Sequence, residues 1–130
     1  MQEAAEEETV AMDALSRVSL IQGAYYMVTA LWQFIHMRSF LVVTGPKSDL
    51  WLVRTVGALI LVISLPLLFT GFQGSPEKEI ILLGIAAAVA LAAIDIFYVA
   101  RRVISPIYLG DSAVELGLLA AWVWACGMKG

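Results

Sequence analysis

Four long apolar stretches, parted by short joins rich in Gly, Pro, Ser and Asp, constrain this chain more than any other feature. They run over 15–36, 50–72, 80–100 and 112–128. A helix rises ~1.5 Å per residue, so each stretch is long enough to cross ~30 Å of hydrocarbon. The composition agrees, because 61% of the 130 residues are hydrophobic and 15% are charged. Soluble domains run nearer about half and about a quarter. The charges gather in the joins instead of recurring along wet helix faces. The sequence thus predicts an all-α fold, an integral membrane four-helix bundle of two antiparallel transmembrane hairpins. That domain covers 14–130, and an acidic tail precedes it over 1–13.

Turn chemistry marks the joins. Thr44-Gly45-Pro46-Lys47-Ser48-Asp49 breaks the first hairpin, Gly71-Phe72-Gln73-Gly74-Ser75-Pro76 separates the two hairpins, and Ser105-Pro106 with Gly110-Asp111 breaks the second. Glu77 and Asp111 stand near helix starts, where an acid suits the macrodipole. Pro66 falls inside the second span and is expected to kink it. Trp51, Phe69, Phe72, Trp122 and Trp124 sit near span ends as expected interface anchors.

The net charge of −3 comes from Glu3, Glu6, Glu7, Glu8 and Asp13 in the tail. Beyond them no basic run exists of the kind that grips nucleic acid, so no nucleic-acid partner is expected. An acidic start also argues against a cleaved signal peptide. Arg38, Lys47, Arg54, Arg101 and Arg102, five of the eight Lys and Arg, flank the joins within the two hairpins. The positive-inside rule then expects cytoplasmic joins and both termini non-cytoplasmic. Cys126 is the only cysteine and His36 the only histidine, which leaves no intramolecular disulfide, dithiol redox pair or metal set within one chain. No cofactor is expected.

Inside the apolar stretches lies a polar seam. Gln22, Tyr26, Thr29, Gln33 and His36 recur at steps of four, three, four and three, which keeps them on one helix face. Lipid penalises such a stripe, so it should face the other spans. By the same spacing Arg54, Gly57, Leu61 and Ser64 share a face of the second span. Gly84, Ala88, Leu91, Asp95, Tyr98 and Arg102 share one of the third, and Asp111, Glu115, Leu118 and Trp122 one of the fourth. Gln22, Tyr26, Gln33, His36, Arg54, Asp95, Tyr98 and Glu115 are the candidate seam or ligand-binding residues. A charge at mid-membrane costs at least ~2.5 kcal/mol, so Asp95 and Glu115 should be paired, hydrated or protonated. Arg54 is the expected partner of one, which leaves the other for a ligand or a proton.

The halves echo one another faintly. Arg38, a loop, Asp49, then Arg54 and Gly57 is matched by Arg102, a loop, Asp111, then Glu115 and Gly117. A parallel duplication of this kind sets Arg54 and Glu115 at equal depth and expects a contact between them. In size and span number the chain resembles small multidrug resistance transporters. Those carry an essential glutamate in the first helix, where this chain has Gln22 and Gln33, so the carrier role does not transfer through that position. It also looks like small bacterial four-helix proteins of the DoxX-like sort, which agrees with an inner-membrane location. No family is assigned on these features.

The leading expectation is a small membrane protein acting by binding or association, as an accessory or stabilising subunit or a binder of a lipid-like ligand. Its partners would be membrane lipid and a second copy or a larger membrane complex. The alternatives are a proton-linked carrier using Asp95 or Glu115, and a membrane enzyme with Asp95, Glu115 and His36 as its acid–base group.

Overall fold

The computed structural model describes residues 2–45, 50–74 and 76–129, and these form five helices. Pro46, Lys47, Ser48, Asp49 and Ser75 of the expected turns lie outside the described residues. The first helix, α1 (Gln2–Ile35), runs well beyond the expected first span, because the acidic tail continues it without a break. Residues 2–10 are exposed, and the buried stripe begins at Ala11. Its 34 residues make a rod of ~50 Å, longer than the hydrocarbon core of a bilayer.

His36 interrupts the helix. Its Nδ1 accepts a hydrogen bond from the Ser39 backbone N–H at 3.2 Å and so caps a short helix, α2 (Met37–Thr44), that the sequence did not announce. The chain bends there by 114°. Ser39 holds the bend from both sides: its hydroxyl donates to the His36 carbonyl (3.1 Å) and accepts from the Trp32 indole N–H (2.8 Å). Trp32 also meets Phe40 edge-on, with centroids 5.3 Å apart. Gly45, at φ +98°, ends α2 in a conformation that favours glycine.

The next helix, α3 (Leu50–Gln73), keeps Pro66 within one continuous element. Buried Pro76 and the N-cap Glu77 lead into α4 (Lys78–Ala100), with Glu79 in its first turn. Arg102 turns the chain at φ +61°, and α5 (Tyr108–Lys129) follows. α3, α4 and α5 are each long and apolar enough to cross a membrane. α1 is not apolar enough alone, since its stripe of Gln and Tyr dilutes it; with α2 it passes as a bent pair.

The helices pack as two hairpins. α1 lies along α3, α4 along α5, and α1 against α5 joins the two, while α3 barely touches α4. α1 and α3 interlock reciprocally: Leu20 fills the space over Gly71 and Leu68 that over Gly23, where an added Cβ would come within 2.6 and 2.8 Å of a leucine Cγ. Leu15, Val18, Tyr26, Leu67, Leu118, Trp122 and Ala125 form the core. The outward faces carry Ile21, Leu59, Val62, Phe69, Leu82 and Trp124, all exposed, as suits helices solvated by lipid. Trp122 corrects an expectation. Trp51, Phe69, Phe72 and Trp124 are indeed exposed, but Trp122 is fully buried between the hairpins, because its indole N–H has a partner inside.

Candidate functional site

The surface where α1 meets α4 and α5 carries a connected polar chain. It starts at Trp122 on α5, whose Nε1–H donates to Gln22 Oε1 at 2.6 Å. The Gln22 amide donates in turn to the Gly84 carbonyl (2.9 Å) and to the Tyr26 hydroxyl (3.0 Å). Tyr26 donates to Glu115 Oε2 at 2.7 Å. One turn nearer the α4–α5 loop, the Tyr25 hydroxyl donates to Asp111 Oδ1. Three helices thus contribute to one seam. Gly84 makes the close crossing possible, because a Cβ there would stand 2.6 Å from the Trp122 indole.

The acids are the chemically informative part. Asp95 on α4 faces Asp111 and Glu115 on α5, with Asp111 within side-chain hydrogen-bonding reach. Glu115 is 1% exposed and Asp95 6%. Among the described residues Glu115 Oε1 and Asp95 Oδ2 have no hydrogen-bond partner. Among the described residues no Lys, Arg or His pairs with either acid. Buried polar atoms are satisfied in the great majority of cases, and buried charges are paired. Two such exceptions side by side mark the place. Every unsatisfied atom in the cluster is an acceptor, so what it lacks is a donor carrying positive charge, or a proton.

The expected seam residues separate into three groups. Gln22, Tyr26, Asp95 and Glu115 come together as described. Gln33 is buried elsewhere, between α1 and α3, where Gly57 makes room for its amide: a Cβ at 57 would lie 1.7 Å from Gln33 Nε2. Thr29 turns its hydroxyl back onto the carbonyls of Tyr25 (2.8 Å) and Tyr26 (3.2 Å). His36, Arg54 and Tyr98 are exposed and outside the seam.

Two expectations fail on this geometry. The Arg54–Glu115 contact does not form, because α3, which carries Arg54, packs along α1, and Glu115 takes Tyr26 instead. The acid–base trio does not assemble either. His36 lies ten residues beyond Tyr26, ~15 Å along the helix axis, and caps α2. Trp122, Tyr25 and Asp111 join the site beyond the candidates. Asp111 and Trp122 share the Glu115 face by spacing, which is the signal that could have found them. Tyr25 lies off the stripe and could not be read that way.

Among the described residues no group of three or more His, Cys, Asp and Glu is arranged to hold a metal ion, and Cys126 is a free, half-buried thiol. Compared with known proteins, the chain matches no family model, and no curated protein or solved structure is significantly similar to it.

Proposed function

We propose that the chain is a small integral membrane protein of four spans that works by binding, through the acid-bearing seam between α1, α4 and α5. In this reading α1 is the first span, and α2 lies along the bilayer surface after the 114° bend. The outward apolar faces of α3, α4 and α5 support it, as does the length of α1. The expected orientation in a bacterial inner membrane, with both termini non-cytoplasmic, rests on Arg38, Lys47, Arg54, Arg101 and Arg102 near the hairpin joins.

One observation carries the binding reading: among the described residues Glu115 Oε1 and Asp95 Oδ2 are buried without a partner beside the hydrogen bonds that link Trp122, Gln22, Tyr26 and Glu115 Oε2. A network that served only to lock the helices would satisfy its own acids. The proton-linked carrier stays as a second reading on the same two atoms, since a proton is the smallest group that can occupy such a position.

Native mass in mild detergent tests the reading. Retention of a bound small molecule or protein partner by the wild type, and its loss from Asp95→Asn at unchanged yield, is the expected pair of results. A bare monomer in both would overturn it. Topology is checked separately with single cysteines in a Cys126→Ser background. In sealed vesicles an impermeant thiol reagent should label position 4 and position 103 from opposite sides.

A further inference from the structure

We propose that the Asp95–Asp111–Glu115 cluster is a binding site for a primary ammonium group. The inference rests on the binding reading above and names its ligand class.

Two donors reach the cluster from α1, the hydroxyls of Tyr26 on Glu115 and of Tyr25 on Asp111. They neutralise no charge. The remaining positions are acceptors from three carboxyls on two helices, and two of those acceptors are buried without a partner. The cationic side chains of the neighbourhood are turned elsewhere: Arg101 lies over the Phe97 ring at 5.0 Å, Arg102 is exposed at the turn, and Arg54 is exposed on the far helix. Among the described residues no cationic side chain balances the cluster, and a ligand from outside the chain would.

The donor set narrows the ligand. An –NH3+ group offers N–H donors and no acceptor, which suits the two unpartnered acceptors, Asp95 Oδ2 and Glu115 Oε1, with Asp111 half-buried beside them. Arginine-like guanidinium is planar and broader, and asks for a flat bidentate face that two separate carboxyl oxygens do not provide. A quaternary ammonium has charge but no N–H. A metal ion lacks a fitting set of ligands among the described residues. The cluster also reaches the surface at one end. Asp111 stands in the first turn of α5 and is only half-buried, whereas Glu115, one turn deeper, is closed off.

The test uses the full chain in mild detergent and follows its thermal midpoint with ethylammonium chloride, tetramethylammonium chloride and sodium chloride at matched ionic strength. A saturable rise with ethylammonium alone is expected. Asp95→Asn/Glu115→Gln should weaken the apparent affinity by about tenfold or more, as loss of hydrogen bonds to charged groups implies. Should that double variant not fold, Asp111→Asn, at the half-buried rim, serves in its place with the same expected loss. A rise of equal size with tetramethylammonium would overturn the proposal, because charge without N–H would then suffice. So would a rise that survives both sets of substitutions. A midpoint that responds to pH and to none of the salts would make the cluster a proton site and reject the ammonium. In that case a ligand seen in the native mass of the wild type would still uphold the binding reading, and its absence would remove both.

Discussion

α1 presents two faces to its neighbours, and they are built on different terms. Toward α3 it meets leucine over glycine, twice and in opposite senses, with Leu20 against Gly71 and Leu68 against Gly23. The polar atoms on that side are few: the Ser19 hydroxyl donates to the Leu67 carbonyl at 2.6 Å, whereas the Gln33 Oε1 beside Gly57 has no partner among the described residues. Toward α5 it meets Trp122, Glu115 and Asp111 through Gln22, Tyr26 and Tyr25. The first face is held by shape. Close backbone approach of this kind is what would make an apolar helix contact favourable in the proposed lipid setting, where apolar side chains gain nothing by leaving the solvent. The second is held by directed hydrogen bonds, and it keeps acids that those bonds do not satisfy. A contact meant only to join two hairpins could have been made like the first. The difference agrees with the proposal that binding uses the α5 side of α1, where the unpartnered atoms are carboxyl oxygens.

Substitutions can break that contrast, and the largest effect should come from the shape-held face. Gly71→Val would push a branched side chain into Leu20 and its backbone nitrogen, 3.1 Å from the new Cβ. A loss of about 3 kcal/mol is expected from overpacking, read as the disappearance of monodisperse protein on gel filtration. Full tolerance would mean that the α1–α3 contact is not close. On the polar face the effects should be smaller but coupled. Gln22→Leu and Trp122→Phe each remove one end of a 2.6 Å hydrogen bond. A double-mutant cycle on thermal unfolding should return a coupling of about 1 kcal/mol, and strict additivity would show that the two do not meet. Smallest of all, Arg54→Ala should shift stability by less than about 0.5 kcal/mol. A loss of several times that would restore Arg54 to the seam.

Periodicity made much of this legible. The rhythm of Gln22, Tyr26 and Gln33 marks the inward stripe of α1, and the same counting sets Gly84 with Asp95 and Glu115 with Trp122. Spacing reads a face, but it does not say which helix covers that face. That is why Gln33 turned out to meet α3 while Gln22 meets α5, and why Arg54, at a plausible depth, found no acid. His36 continues the rhythm on paper, yet the helix stops before it, and its side chain is spent on capping α2. Tyr25 was missed for the opposite reason. α1 is covered on two sides, so its buried arc is wider than one stripe. Trp122 shows a limit of residue type: a tryptophan near a span end reads as an interface anchor, and only the amide of Gln22 across the seam distinguishes the buried donor from the anchor.

Among the described residues the acids of the seam have no counter-charge. The thermal stability of Glu115→Gln in detergent, without added amines, tests this most directly. The amide keeps an oxygen for the Tyr26 hydroxyl, removes an uncompensated buried acid and adds an N–H that can turn toward Asp95. A midpoint equal to or above that of the wild type is expected. A loss of about 3 kcal/mol or more, the cost of stranding one partner of a buried ion pair, would contradict it.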